Sequence, residues 1–454
     1  MKPNPLFPTE ETLGINTDLY ELTMAAAYFE AGCTEDRAAF ELFTRELPQN
    51  RSFLIAAGLE QALHFIENVR FTDDTVKYLR QLDTFKTVNG AFFDYLRSFH
   101  FSGNIYALPE GTVFFANEPI LQVSAPIIEA QLVETYLINT INFQSMVASK
   151  AARISLAGKG KNIVDFGSRR AHSPQAGVLA ARSSFIGGCN GTSNVLAGYE
   201  MGIPIYGTMA HSFVQFFDRE SEAFSRFHDA FGEDSTILVD TYDTLAGVRK
   251  ALELGEKING VRLDSGDLVT LAFKTRELLD QHGSSQVRIV ASGNLDEEKI
   301  QSFALADAPI DAYGVGTDLV VSTDAPTCDL IYKLVEVIRE GQPQPRIKTS
   351  EGKATLPYRK QIFRRIEERG FSGDLLSMWD EEPPQGEGYL EPLLRKYVEN
   401  GQIVAELPDV FQIRGYAQEQ ISKLPSPFKV LDTAEEYPVE YSRQLLARIS
   451  HAGS

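Results

Sequence analysis

Cysteine, tryptophan and long apolar runs are scarce or missing in this sequence. Its 454 residues include three cysteines and one tryptophan. Cys33, Cys189 and Cys328 lack metal-ligand spacing, which excludes a zinc site or a disulfide framework as the organising feature. No apolar run reaches the roughly 18 residues that suggest a membrane helix, and residues 1–8 lack the apolar core of a signal peptide. We therefore expect a soluble, cytoplasmic protein with no membrane partner.

Positive charge is also in short supply, because 43 lysines and arginines face 62 acidic residues, a net charge of −19. This balance repels nucleic acid, so we expect no nucleic-acid partner. The exception is the segment 150–182, whose only acid is Asp165 and whose basic residues are Lys150, Arg153, Lys159, Lys161, Arg169, Arg170 and Arg182. Lys159 and Lys161, beside glycines, indicate a solvated surface. Arg169 and Arg170 are the predicted ligands of a small anionic substrate.

Short apolar runs that end in small or polar residues recur through the middle of the chain. They cover residues 163–170, 185–188, 203–213, 236–242, 261–267, 287–294 and 312–317, the second being the weakest. Their spacing of roughly 20–35 residues is typical of βα units and a parallel sheet. Seven units favour a β/α barrel, although periodicity alone leaves an open doubly wound sheet possible. In a barrel the polar ends form the active-site rim; the alternative is ordinary βα turns.

The flanking segments predict accessory structure around this barrel. A helix at 17–30, a strand at 38–45 and broken strands over 103–124 indicate an N-terminal α/β domain over 1–130. A long helix from about 129 to 156 opens the barrel domain, 131–330. Strands at 334–338 and 361–370, a turn or linker at 340–345, an exposed acidic loop at 373–390 and helices at 412–423 and 441–449 predict a third domain, 331–454, partly packed back on the first. The expected fold class is α/β: an irregular β/α barrel with an N-terminal α/β accessory domain and a C-terminal α+β extension.

Several motifs, in the same order along almost the whole chain, carry a resemblance to a known family. They are residues 17–24, 165–172, 207–213, 261–267, 292–294, 314–317 and, near the C-terminus, 437–442. The chain resembles the nicotinate phosphoribosyltransferases of the type II phosphoribosyltransferase family. The resemblance implies condensation of nicotinate with phosphoribosyl pyrophosphate to nicotinate mononucleotide and pyrophosphate, in the salvage route of NAD biosynthesis. It also implies ATP as a co-substrate, hydrolysed through a phosphorylated His211, and Mg²⁺ as cofactor.

The candidate site residues follow from this chemistry. Backbone N–H groups of glycine-containing turns suit the 5-phosphate, which points to Ser292, Gly293, Gly316 and Thr317. Mg²⁺ and cationic donors suit the departing pyrophosphate, which points to Arg169, His172 and phosphorylated His211, whose negative charge would order Mg²⁺. Asp264 and Asp267 are candidates for ribose hydroxyls or Mg²⁺, with turn capping as the alternative. By the resemblance, Tyr20, Thr208 and Arg262 face nicotinate, and a homodimer shares its active sites, which explains a functional Tyr20 so distant in sequence.

Three other functions stay open at this point. Nicotinamide phosphoribosyltransferase shares the barrel and the chemistry, but its neutral base does not require an arginine. A quinolinate enzyme is usually a shorter chain. A catalytically silent barrel that acts as a binding module is the third, since fold does not dictate function. One departure from the family pattern is Tyr358, at a position where the family commonly has glycine, so the backbone turn there is expected to differ.

Overall fold

The computed structural model of the chain describes residues 8–254, 258–348, 355–382 and 389–452. Residues 1–7, where the sequence lacks a signal-peptide core, lie outside these ranges. The chain forms two compact units: unit 1 comprises 1–145, 327–409 and 419–454, and unit 2 comprises 146–326 and 410–418. Within the described ranges we find no helix with the length and apolar character needed to cross a bilayer. The boundaries at 130 and 330 stay a prediction.

The N-terminal part of unit 1 alternates helices with short strands. Its elements are α1 (Leu19–Glu30), β1 (Arg37–Phe43), β2 (Leu54–Ile55), α2 (Leu59–Asn68), α3 (Asp73–Gln81), α4 (Gly90–Arg97), β3 (Asn104–Ala107), β4 (Val113–Phe114), β5 (Leu121–Pro126) and α5 (Ile127–Leu132). The predicted first helix and first strand are confirmed. The long helix predicted from 129 is interrupted at Val133, which ends α5; α6 (Glu134–Ala157) then carries the chain into unit 2.

Unit 2 contains the predicted succession of strands and helices. Its elements are β6 (Asn162–Asp165), α7 (Pro174–Gly187), β7 (Gly191–Thr192), α8 (Val195–Met201), α9 (His211–Phe216), α10 (Glu220–Phe231), β8 (Thr236–Leu238), α11 (Thr244–Leu252), β9 (Gly260–Leu263), α12 (Leu268–Gln281), β10 (Arg288–Ser292), α13 (Glu297–Leu305), β11 (Ala312–Val315) and α14 (Thr317–Val321). The strands form a parallel sheet in the order β7-β6-β11-β10-β9-β8. Their carboxyl ends therefore meet at one edge of the sheet.

Two strand predictions in unit 2 are wrong. Residues 185–188 are the end of α7 and the turn after it, because Ser173 caps the helix and the small residues that follow extend it to Gly187. The run 203–206 forms no ladder, only a single parallel bridge between Thr192 and Ile205. Ile205 is also about half exposed rather than buried.

The two ends of the parallel sheet are joined by a side-chain contact. Ile205 extends the sheet beyond β7, and the segment after it leads to His211, whose Nδ1 lies 3.2 Å from Oγ1 of Thr241. Thr241 follows β8, the strand at the opposite end of the sheet. No ladder pair closes the sheet in the described part of the chain. The irregular β/α barrel predicted from the sequence is therefore closed by side chains from segments that follow its strands.

The C-terminal part returns to unit 1, apart from the first residues of α15. Its elements are β12 (Ile331–Arg339), β13 (Gln342–Pro345), β14 (Lys360–Glu367), β15 (Gly370–Met378), β16 (Tyr389–Pro392), β17 (Arg395–Glu399), β18 (Gln402–Ile403), α15 (Val410–Lys423), β19 (Val439–Tyr441) and α16 (Arg443–Ala452). Four of these strands complete an antiparallel sheet with N-terminal strands, in the order β13-β12-β1-β5-β3-β17-β18. A four-stranded sheet has the order β16-β14-β15-β19.

Two loop predictions in this part need correction. Residues 342–345, expected in a turn or linker, pair with β12 as β13. The first part of the expected exposed loop at 373–390 belongs to β15, where Asp374 is fully buried and its carboxylate binds Arg364. Acidic composition was misleading there because a buried arginine neutralises the carboxylate. Residues 383–388 of the expected loop lie outside the described residues.

Candidate active site

Two adjoining cavities in unit 2 share Phe166, Arg169, Arg262 and Asp264. The first, about 190 Å³, is further lined by the glycine turns and an arginine: Arg170, Ser292, Gly293, Asn294, Gly314, Gly316 and Thr317. The second, about 380 Å³, is further lined by the segment around the histidine: Ser193, Gly207, Thr208, Met209, Ala210 and His211. Both lie where β6, β9, β10 and β11 end. The predicted rim is thus a continuous, two-chambered site.

Strand alternation directs Arg262 and Asp264 into the cavities. Val261 and Leu263 of β9 are fully buried, whereas Arg262 and Asp264 are partly exposed and line both chambers. Residues two apart point to the same side of a strand, so both side chains face the site. The sequence alone could not decide the direction of Arg262; the pairing of β9 between β8 and β10 does.

Arg262 holds together the residues around it. Its Nε donates to Oγ of Ser292 at 2.8 Å, and its Nη1 donates to Oγ1 of Thr208 at 2.7 Å and to the carbonyl of Met209 at 3.1 Å. Its Nη2 donates to Oδ1 of Asp264 at 2.9 Å. A guanidinium has five N–H donors, so one Nη2 donor remains for a ligand. The planar fork also lies over the ring of Phe166, 5.9 Å from its centroid.

Asp264 is an ionised carboxylate between Arg262 and His211. Burial opposes its ionisation, but hydrogen bonds from Ser292 and Arg262 and the charge of Arg262 outweigh burial and lower its pKa. Its Oδ2 lies 3.6 Å from Nε2 of His211. The negative charge of Asp264 is therefore kept across the physiological pH range, beside the imidazole and facing both chambers.

Asp240 and Thr241, which follow β8, were not among the predicted site residues. Oδ2 of Asp240 accepts bonds from the backbone N of Asp264 at 2.9 Å and from Oγ of Ser265 at 2.6 Å. Its Oδ1 is buried and has no hydrogen-bond partner among the described residues. Thr241 holds Nδ1 of His211. Both residues belong to the polar end of the run 236–242. The pattern of apolar runs with polar ends could therefore have identified them as site residues.

Glycine allows close packing at the floor of the first chamber. Gly293 has φ +94°, and a Cβ there would lie 1.9 Å from the carbonyl oxygen of Asp264. A Cβ on Gly314 would lie 2.3 Å from the ring of Phe166, so the missing side chain makes room for that ring. Gly316 and Thr317 continue this wall at the start of α14. Ser292, Gly293, Gly316 and Thr317 are thus brought together as one surface.

The segment after β6 presents Phe166 and the two arginines. Asp165, fully buried, accepts bonds from Oγ1 of Thr192 and from the backbone N of Gly167, and burial raises its pKa. These bonds hold the turn from which Arg169 and Arg170 reach the cavities. Phe166 was not predicted as a site residue, although it lies inside the motif 165–172.

Three predicted residues are not among the described residues that line the two cavities. His172 is exposed and is absent from the described residues that line either chamber. Asp267 caps α12, since its carboxylate accepts bonds from the backbone N and Oγ1 of Thr270. Tyr20 lies on α1 of unit 1, 45% exposed, where partial burial and the charge of Glu134 raise its pKa. The roles predicted for these three residues stay predictions.

The part of the chain described by the structure contains no cluster of three or more His, Cys, Asp or Glu with metal-site geometry. Mg²⁺ differs from zinc in this respect, because it is commonly bound by one or two carboxylates together with water and substrate phosphates. Asp264 and the unpartnered Oδ1 of Asp240 supply oxygen ligands of that kind. The donor set therefore fits a magnesium ion that arrives with a phosphorylated substrate.

Comparison with known proteins agrees along the whole chain. Models of the nicotinate phosphoribosyltransferase N-terminal domain, family and C-terminal domain match residues 15–142, 161–344 and 387–448. Nicotinate phosphoribosyltransferase pncB2 of Mycobacterium tuberculosis is 46% identical over 447 residues, 96% of this chain and 94% of that protein. The crystal structure of human nicotinic acid phosphoribosyltransferase has a TM-score of 0.84 at 31% identity, covering 96% and 99% of the two chains. A structure titled nicotinate-nucleotide pyrophosphorylase, from Pyrococcus furiosus, has a TM-score of 0.77 at 30% identity, covering 93% and 99%.

Proposed function

This chain belongs to the nicotinate phosphoribosyltransferase family and is an enzyme that forms nicotinate mononucleotide in NAD salvage, and we propose that it couples ATP hydrolysis to this transfer through a phosphorylated His211. In the transfer, the ring nitrogen of nicotinate bonds to C1 of the ribose as the C1–oxygen bond to pyrophosphate breaks. The electron pair of that bond leaves with pyrophosphate. Phosphoribosyl pyrophosphate and nicotinate are the substrates.

The continuity of the two chambers supports the binding of phosphoribosyl pyrophosphate across both of them. Phosphoribosyl pyrophosphate has a phosphate at each end of a ribose, and the chambers offer two separate anion sites. The glycine turns of the first suit the 5-phosphate, and Arg169 with the His211 segment of the second suits pyrophosphate. Asp264, shared by both chambers, lies where the ribose would sit, and its carboxylate favours the positive charge that develops on the sugar.

The base is recognised through Phe166 and Arg262. The ring of Phe166 lines both chambers and is a surface on which a flat pyridine ring can stack. The remaining Nη2 donor of Arg262 can bind the carboxylate of nicotinate. Arg169 and Arg170 add positive charge nearby, which favours nicotinate over the neutral nicotinamide.

Thr241 orients the imidazole of His211 for phosphoryl transfer. When Nδ1 donates to Oγ1 of Thr241, the lone pair lies on Nε2, on the side of Asp264. Nε2 then attacks the γ-phosphorus of ATP: an N–P bond forms, the P–O bond to ADP breaks, and ADP leaves with the electron pair. Water later cleaves the N–P bond and releases phosphate. The phosphohistidine adds negative charge at the mouth of the pyrophosphate chamber.

Asp264 and Asp240 would hold the magnesium ion. When bound, Mg²⁺ neutralises charge on the departing pyrophosphate. Asp240 also keeps Asp264 in place through the backbone N of that residue. Asp267 is the less suitable ligand because both of its carboxylate oxygens bind Thr270.

A homodimer with shared active sites is supported by exposed apolar side chains. In unit 2, α8 and the segment after it expose Val195, Leu196, Tyr199, Ile205 and Tyr206. In unit 1, Leu19 and Tyr20 are also about half exposed. Burial of such surfaces favours self-association. Mixing Tyr20→Ala with Arg262→Ala protein should restore about a quarter of wild-type turnover if each site uses Tyr20 of the partner; no recovery above the separate variants would refute sharing.

The central test is turnover with phosphoribosyl pyrophosphate and each of nicotinate, nicotinamide and quinolinate, with and without ATP. Wild-type enzyme should form nicotinate mononucleotide faster with ATP and should carry acid-labile label from γ-labelled ATP. His211→Ala should keep basal transfer but lose both the stimulation and the label. His228→Ala is the matched control, because His228 also binds a hydroxyl, Oγ of Ser235, but lies outside both chambers.

Each other outcome has a defined meaning. Product from nicotinamide would assign the chain to nicotinamide phosphoribosyl transfer, and product from quinolinate would assign it to quinolinate phosphoribosyl transfer. No product from any base would leave a binding module. Label that persists in His211→Ala would refute the phosphohistidine.

A further inference from the structure

A buried cluster of charges lies in unit 2 outside the two chambers. Lys150, on α6, is 2% exposed, and its Nζ donates to Oε2 of Glu297 and, at 2.8 Å, to Oδ1 of Asp324. Arg153, one turn further along α6, donates through Nε to Oε1 of Glu297 at 2.9 Å. Glu297 is only 3% exposed. Two basic residues of the segment 150–182 are therefore used inside the protein and are unavailable to a substrate.

The two carboxylates of this cluster belong to the elements that form the first chamber. Glu297 is the first residue of α13, three residues after Asn294 and the turn at 292–294. Asp324 follows α14, which begins at Thr317, directly after the turn at 314–316. The ammonium group of Lys150 thus connects the first residue of α13, the helix that follows one glycine turn, with Asp324, which follows α14 after the other glycine turn.

The chemistry of the cluster makes this connection specific. Without Lys150, Glu297 and Asp324 would each lose a hydrogen-bonded cation, which is unfavourable above all for the buried carboxylate of Glu297. Burial opposes ionisation of Glu297, but the charge of Lys150 outweighs it and lowers the pKa. The ladder of β10 and β11 fixes Ser292 beside Gly314, but the residues beyond this pair, 293–294 and 316–317, would lose this constraint from behind. A displacement of about 1 Å at a substrate site can cost about two orders of magnitude in rate.

We propose that Lys150 is a positioning residue for phosphoribosyl pyrophosphate, which sets the relative position of residues 293–294 and 316–317, beyond the last ladder pair, through Glu297 and Asp324. The inference rests on the proposed function, since it assumes that these turns bind the 5-phosphate. Lys150 itself touches no substrate. A role in general stability is the competing explanation, and it predicts no selective effect on one substrate.

Asp324 is the residue to change, because its side chain is 35% exposed and its loss leaves the Lys150–Glu297 pair intact. Asp324→Ala removes one end of the connection, whereas Asp324→Asn keeps an oxygen that can accept from Lys150. We expect Asp324→Ala to raise KM for phosphoribosyl pyrophosphate about tenfold and Asp324→Asn less than about threefold. KM for nicotinate should rise less than about threefold, since only one bond of Arg262, from Nε to Ser292, reaches these turns. Its bonds to Thr208, Met209 and Asp264 remain.

Lys250→Met is the matched control. Lys250 pairs with the buried carboxylate of Glu220 at 2.8 Å in the same unit, but neither residue lines a chamber. It should lower the melting temperature without changing KM for phosphoribosyl pyrophosphate. An unchanged KM in Asp324→Ala, or equal increases for both substrates, would overturn the positioning role.

Binding of ribose 5-phosphate, measured by calorimetry, separates this proposal from the proposed function. If wild-type enzyme has no turnover, the proposed function fails, and a roughly tenfold weaker Kd for ribose 5-phosphate in Asp324→Ala would still support the positioning role. An unchanged Kd, or no binding by the wild type, would overturn it.

Discussion

Gly293 is the position at which the smallest substitution should have the largest effect. Its φ of +94° lies in a region that side chains rarely adopt, and an added Cβ would lie 1.9 Å from the carbonyl oxygen of Asp264. Because that contact is with backbone, no side-chain rotation can relieve it. Gly293→Ala must therefore move the turn at 292–294, the end of β9, or both.

The expected size follows from this distance. An ordinary contact needs about 3.4 Å, so the two segments must separate by about 1.5 Å. Such a shift would disturb the bonds of Ser292 to Arg262 and Asp264. Because a misplacement of about 1 Å can cost about a hundredfold in rate, kcat/KM for phosphoribosyl pyrophosphate should fall about a hundredfold. Backbone strain of 1–2 kcal/mol and the clash together should lower the unfolding free energy by about 3 kcal/mol.

Steady-state kinetics and urea unfolding would measure both effects, with Gly232→Ala as the control. Gly232 ends α10 with φ +58°, but an added Cβ there meets no atom within 4 Å. Its φ of +58° with ψ of −135° is a sparsely populated conformation for other residues, so the substitution should cost about 1–3 kcal/mol of strain and leave kcat/KM unchanged. Wild-type kcat/KM in Gly293→Ala would refute the view that this turn positions the substrate.

Two further predictions concern unit 1. Burial raises the pKa of Glu21 to about 7 despite bonds from Thr135 and Thr17, so the folded protein holds this proton more tightly than the unfolded chain. Stability from this group is present below pH 4.5 and is lost as pH rises to 7, so Glu21→Gln should gain on the order of 3 kcal/mol over wild type between pH 4.5 and pH 8, measured by denaturant unfolding; an equal difference at both pH values would contradict this. Tyr358 has φ +63° and a buried ring that faces Arg448. Tyr358→Gly should be more stable than Tyr358→Ala by about 0.5–1 kcal/mol, the reverse of the usual order, because only glycine relieves the strain; a more stable alanine variant would show that the turn relaxes.

The regular part of the fold was readable from the sequence because local patterns encode it. The strands β6, β8, β9, β10 and β11 lie where apolar runs end in small or polar residues. The two wrong strand predictions have a common cause: in a short apolar segment, the pattern of apolar residues cannot distinguish a strand from a helix or from irregular backbone. Residues 185–188 complete a capped helix, and residues 203–206 form a single bridge at the edge of the sheet. At position 358, where the family commonly has glycine and this chain has tyrosine, the backbone has a positive φ, which is the conformation that favours glycine.

The sequence by itself determined which residue types stand at the strand ends, and the resemblance of its motifs determined the chemistry expected of them. Only the tertiary structure decided which of these residues meet. Strand alternation directs Arg262 and Asp264 inward, and the contact of His211 with Thr241 joins ends of the sheet that are far apart along the chain. The structure also showed that Lys150 and Arg153, two members of the basic segment 150–182, are partners of Glu297. The spacing of residues along the sequence cannot specify these side-chain contacts, because they depend on the register and closure of the whole barrel.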